Sequence, residues 1–255
     1  MPIPYPRCPK CGHSPLPAEQ ALPAACPGCG VILAKAGQTP HRTTIRQDDE
    51  PASQDIATGW TALLTHIPDR VDAVRFWLRV TIFAGLALWA WSLIGFDYRT
   101  GEMGASFMHR PLLVFHEAGH IIFMVLGEWM TIMGGTLGQL LMPIIMSGAL
   151  LIKNRDPLGA AMGLWFFGVS LLDVAPYMYD ALQPQLMLLS GTTGEDGGHD
   201  WIYLFSSIGL LPKAQLIGGL THKAGALVVV LSLAWGAWLL RRQYPRLADH
   251  VLNED

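Results

Sequence analysis

Residues 112–127 read LLVFHEAGHIIFMVLG. His116, Glu117 and His120 interrupt a run that is otherwise apolar enough for lipid, where ionisable side chains are costly and point to function. Residues four apart share one face of an α-helix, so His116 and His120 can bind one metal ion through their imidazole nitrogens. Glu117, one position on, stands beside that ion and can take a proton from an attacking water. Gly119, next to the second histidine, leaves room for another helix to approach closely.

The surroundings set the fold class. Further apolar stretches lie at 80–96, 130–152, 157–182 and 224–240, each near or above the ~17–25 residues that cross the hydrocarbon as a helix. Of the 255 residues, 51% are hydrophobic and 15% charged, against roughly 25% charged in a soluble domain. The pattern predicts a mainly α, polytopic membrane helix bundle of four to six spans over residues 80–243. Trp60, Phe76 and Trp77, interleaved with Arg70, Arg75 and Arg79, predict an amphipathic helix in the membrane interface over 60–79. The net charge of −3 gives no electrostatic case for nucleic acid as a partner.

Orientation is read from the basic clusters at 70–79, at KNRD (153–156) and at RRQYPR (241–246), all expected on the cytoplasmic side. On that basis 80–96 exits and 111–127 returns. Residues 130–152 then form a bent re-entrant segment, weakened by Gly134, Gly135, Gly138, Pro143 and Gly148. Residues 157–179 exit again, the acidic SGTTGEDGGHDW loop lies outside, and 244–255 is a cytoplasmic tail. The alternative makes 130–152 and 201–217 ordinary spans, six in all.

All four cysteines fall within the first 30 residues: Cys8 and Cys11 in CPKC, Cys26 and Cys29 in CPGC. Paired knuckles of this spacing close a tetrahedral Cys₄ site, with Gly12 and Gly30 permitting the tight turns. Residues 1–36 are therefore expected to be a zinc ribbon, and 37–59, polar and without hydrophobic period, a flexible linker. No charged start followed by an apolar core opens the chain, so no signal peptide is expected, and a reducing, cytoplasmic setting suits free thiolates.

A catalytic zinc usually takes three protein ligands plus a water. His199, on a Gly-rich loop, and Asp173, a carboxylate in the apolar SLLDVAPYMYDA, are the two candidates for the third. Asp180, Asp200 and His222 are expected to act from outside, orienting the imidazoles.

HEAGH inside an apolar helix, with the aspartate of LLDV on a later one, resembles the site-2-protease-like intramembrane zinc metallopeptidases, although LDV lacks that family's glycine. The resemblance implies Asp173 as third ligand. Over most of its length the chain also resembles a group of bacterial membrane proteins that join CPKCG…CPGCGVI to HEAGH, GGTLGQLLMP, LLDVAPYMYDA and GHDW. This likeness implies a Gram-negative inner (cytoplasmic) membrane, with a multi-pass chain and a cytoplasmic N-terminus.

Three functions stay open on the sequence. The first is an intramembrane zinc metallopeptidase, with one catalytic and one structural zinc, acting on a membrane-embedded or membrane-proximal peptide through Glu117. The second is a non-enzymatic membrane adaptor whose ribbon binds a cytoplasmic protein. The third is a transporter that uses the buried ionisable groups as an ion path.

Overall fold

The computed structural model describes residues 5–18, 20, 24–33 and 59–247, in two units divided between Pro51 and Ala52. Residues 1–4, 19, 21–23 and 34–36 of the expected ribbon, 37–58 of the linker and 248–255 of the tail lie outside the described residues.

The first unit is two like turns. Gly12 N donates to Cys8 O and Gly30 N to Cys26 O, each at 2.9 Å, and Gly12 and Gly30 take φ of 75° and 72°. L side chains avoid that region, which is why glycine follows each second cysteine. Ala25 and Ile32 form an isolated antiparallel bridge across the second turn.

The second unit is helical. α1 (Ala73–Gly95) starts where Asp72 accepts from Arg75 N at 2.8 Å. α2 is His109–Phe123, α3 Glu128–Ile152, α4 Pro157–Asp180, α5 Asp200–Ser207 and α6 Ala214–Gln243. α4 opens on the Asp156 cap with Pro157 in its first turn, where a missing N–H costs nothing. Four segments are long and apolar enough to cross a membrane: α1, α3, α4 and Leu211–Arg246, which contains α6. α4 is central, with 67% of its apolar window buried.

In lipid the hydrophobic effect does not drive helices together, so close packing must. Small residues supply it. A Cβ on Gly225 of α6 would stand 2.8 Å from Gly168 O of α4, and one on Gly138 of α3 would stand 2.5 Å from Phe115 O of α2. Trp165, Val169 and Leu172 of α4 pack on Ala90 and Leu93 of α1 and on Val229 of α6.

The contacts give the direction of each helix. Gln139 of α3 meets Asp173 of α4 and Ser147 meets Ala160, so these two run antiparallel. Gly138 faces Phe115 and Gly134 faces Phe123, so α2 also runs against α3. Met108, just before α2, packs with Trp165 and Val169 in the middle of α4, and Phe107 lies 6.2 Å from Trp89 in α1. The chain therefore leaves α1 at one end of the bundle, dips back to mid-depth, and climbs to the same end as α2.

This exchanges two expected roles. The segment that turns back within the bundle is 96–123, carrying HEAGH, and 130–152 lies within one continuous helix of 25 residues. At 15 residues, α2 is about 22 Å long, short of the ~30 Å of hydrocarbon. Gly134, Gly135 and Gly138 serve packing rather than bending, Gly148 has no close neighbour, and Pro143 is accommodated inside α3. The interfacial helix expected over 60–79 is also corrected. Residues 59–64 are helical, 65–72 are not, and 73–79 already belong to α1, because Pro68 lacks an N–H and Asp72 caps a new start. The alternative span at 201–217 fails too: α5 stops at Ser207, and Gly209 turns with φ 70°. KNRD does lie at the same end as residues 65–72, opposite the 181–199 loop.

Candidate metal centre

HEAGH sits where α2 crosses α3. His120 Nδ1 lies 2.8 Å from Thr131 O, a carbonyl that only accepts, so Nδ1 carries the proton. His116 Nδ1 lies 3.2 Å from Gln139 Oε1. The orientation of that amide is fixed from the other side, because Gln139 Nε2 donates to Asp173 Oδ2 at 2.7 Å. Asp173 Oδ1 in turn accepts from His109 Nδ1 at 2.8 Å. Both imidazoles thus hold their protons on Nδ1 and leave Nε2 as an acceptor, the tautomer that metal-binding histidines use.

Both Nε2 atoms point at one oxygen. Asp200 Oδ2 is 3.0 Å from His116 Nε2 and 3.4 Å from His120 Nε2. Three electron-rich atoms so placed repel one another unless they share a cation. One proton serves one pair, whereas one metal ion can serve all three. Tetrahedral bonds of ~2.0–2.1 Å would put ligand atoms about 3.3 Å apart, close to the observed spacing. His116, His120 and Asp200 form one of two groups of described residues able to hold a metal ion.

The residue grouped with His116 and His120 is Asp200, expected only as an outer partner, while His199 and Asp173 lie outside that group. Asp173 reaches His116 only through Gln139. His199 is turned away: its Nδ1 accepts from Ile202 N at 3.4 Å to cap α5, its ring lies 4.2 Å from that of Tyr177, and its Nε2 is 3.3 Å from Asp180. Capping α5 is what puts Asp200 at that helix's first position. Asp180 accepts from Gln185 N at 2.8 Å and so ties down the loop beyond it. His222 lies against Tyr98, ring centres 4.9 Å apart, outside the centre. Its expected outer role is not supported by this position.

Glycine makes the space. A Cβ on Gly135 would come 2.5 Å from the Nε2 of both His116 and His120. A cavity of about 560 Å³ opens over the group, lined by His109, Glu117, Tyr177 and the Leu186–Ser190 segment. Tyr177 Oη accepts from Asp200 N at 3.0 Å, which leaves its own O–H free to donate. His109, Gln139 and Tyr177 were not singled out from sequence. Gln139 was the findable one, a polar side chain inside an apolar run and 2% exposed.

The other group is Cys8, Cys11, Cys26 and Cys29, whose sulfurs lie within 4.8 Å of one another. The Cys8–Cys29 and Cys11–Cys26 separations are both 3.7 Å, far beyond a disulfide and near the about 3.8 Å that four ~2.3 Å tetrahedral bonds give. Burial raises the Cys8 thiol pKa, but the N–H groups of Cys11 and Lys10 outweigh it and hold it at about 6. Cys11 receives the N–H of His13, which lowers it, yet the thiols of Cys29 and Cys8 push it up to about 12. Four thiolates gathered there need a cation, which a bound metal ion would supply.

The chain matches no family model, no curated protein and no solved structure among those it was compared with. Fold and site alone define its class: a helical bundle with four membrane-length apolar helices and two clusters able to hold a metal ion.

Proposed function

We propose that the chain is an intramembrane zinc metallopeptidase that hydrolyses a peptide bond in a membrane-embedded or membrane-proximal substrate. The observation that carries this reading is the pair of imidazoles, each fixed through Nδ1, whose Nε2 atoms share Asp200 Oδ2 while Glu117 lines the same cavity. Zinc held by His116, His120 and Asp200 would supply a Lewis acid able to acidify water and polarise a carbonyl.

The chain's own groups do the rest. Glu117 takes the proton of the attacking water as general base. Tyr177 donates its free O–H to the carbonyl oxygen as negative charge develops there. His109, as an imidazolium whose Nδ1–H is held by Asp173, gives its Nε2 proton to the departing amine and is left neutral. Gln139 and the Thr131 carbonyl hold the two imidazoles in register. The Leu186–Ser190 segment offers non-helical backbone to a substrate that has unwound. The basic ends of α1 and α6 and KNRD favour a cytoplasmic location for that face and the N-terminus, with the centre towards the periplasmic side of an inner membrane. The Cys₄ unit is read as a structural zinc ribbon that contacts a cytoplasmic protein.

Terminal-amine profiling of membranes from cells expressing the wild-type chain or Glu117→Gln tests the reading. New N-termini in or near membrane spans, present only with the wild type, are the expected result. Identical profiles would exclude hydrolysis.

A further inference from the structure

The end of the bundle opposite the metal centre holds a second cavity of about 360 Å³. Five basic side chains line it (His66, Arg70, Arg75, Arg79 and Arg155) against two acids, Asp72 and Asp156. Both acids are already engaged. Asp156 accepts from Arg79 through two N–H groups, at 3.2 and 2.7 Å, and also caps α4. Asp72 caps α1. Arg70, Arg75 and Arg155 make no ion pair among the described residues. Three unpartnered guanidiniums on a concave wall match an oxyanion, and the planar fork suits phosphate best.

The wall is held in place. Val71 and Leu247 form a parallel bridge, and Arg246 Nη1 donates to Ile67 O at 2.8 Å and to Pro68 O at 3.2 Å, fixing the segment that carries His66 and Arg70. Arg155 has φ 50°, the positive value that a residue just past a helix end takes most easily as glycine. Arginine at this position puts a guanidinium on the cavity where the backbone favours glycine.

We propose that this cavity binds the phosphate of an anionic phospholipid. The choice of source comes from α1. Asp72, Arg75, Phe76 and Arg79 face the cavity, while Val74, Trp77 and Leu78 on the remaining surface are 78%, 55% and 59% exposed. In a membrane those side chains meet acyl chains, with Trp77 at the headgroup level. A lipid therefore engages both the guanidiniums and the apolar surface beside them, whereas free phosphate engages only the first. Clustered basic residues at one membrane face already favour anionic headgroups. The proposal rests on the membrane reading and is independent of the hydrolase reading.

The test uses the full chain in detergent, depleted of lipid and then offered phosphatidylglycerol or phosphatidylcholine with the same acyl chains. Retained lipid is counted by native mass spectrometry. One phosphatidylglycerol should be held in preference to phosphatidylcholine. Arg155→Gly, which removes the guanidinium and relieves the backbone, should weaken retention about fivefold, and Arg75→Gln by a similar factor. Arg241→Gln, exposed at the same end but outside the cavity, should leave retention unchanged. Equal retention of the two lipids, or undiminished phosphatidylglycerol in Arg155→Gly, would overturn the proposal. Saturable binding of inorganic phosphate without any lipid preference would assign the cavity to a soluble anion and overturn the lipid source.

Discussion

Nε2 of His116 lies 3.0 Å from Oδ2 of Asp200, a residue 84 positions away. The contact joins the re-entrant helix to the first turn of α5, and it requires three other residues to be in place. His199 caps α5, Gln139 fixes the His116 ring, and Asp173 fixes Gln139. Loss of the ligand and loss of a support should therefore differ in size.

Asp200→Ala should abolish metal binding at the membrane centre, as should His116→Ala. Asp173→Ala and Gln139→Ala should keep the metal with affinity about 10–100-fold weaker. His199→Ala should act through helix α5, at a cap cost of about 1 kcal/mol. Metal titration of each purified variant separates these outcomes. Strong loss in His199→Ala with retention in Asp200→Ala would reverse the assignment.

Glu117→Gln should keep the metal and lose the activity, because an amide cannot accept the proton. A missing general base costs roughly 10²–10⁴-fold in rate. Parallel measurement of metal content and of Glu117-dependent cleavage checks this. Full cleavage by the amide variant would remove Glu117 from the chemistry.

Gly135→Ala isolates space from helix propensity. Alanine favours a helix over glycine by about 1 kcal/mol, yet its Cβ would come 2.5 Å from both Nε2 atoms. Undiminished helicity by circular dichroism with metal lost from the membrane centre is the expected pairing. Gly119→Ala, whose Cβ would run into the Gly134 backbone, should instead lower thermal stability by separating α2 from α3.

Sidedness tests the re-entrant helix. In a chain whose four cysteines are serine, single cysteines at Thr100, Val125 and Thr192 should all react with an impermeant maleimide from one face, and Asn154 from the other. Val125 decides, being 84% exposed just past α2. If it labels with Asn154, α2 crosses the membrane and the re-entrant reading fails.

Much of this was legible in the sequence. The i, i+4 histidines, the Cys₄ spacing and the apolar runs all have local signatures, and each reappears in the structure. The membrane path did not, because glycine marks both a bend and a close contact. Gly134, Gly135 and Gly138 read as weak points of α3, whereas their role is to admit α2 and its imidazoles. The shortness of α2 is set by the return of Phe107 and Met108 to mid-depth, a tertiary contact with no local signal. Asp200 was underrated for a similar reason. In sequence it ends an acidic loop and looks solvated, and only the His199 cap and the Tyr177 hydroxyl turn it inward.

The most direct measurement is metal content per chain, by elemental analysis, in a protein whose Cys8 and Cys11 are serine, so that only the membrane centre counts. One zinc per chain is expected, unchanged in Glu117→Gln and absent in Asp200→Ala. A membrane domain that holds no metal under zinc-replete conditions, or holds it equally in Asp200→Ala, would contradict the centre proposed on His116, His120 and Asp200.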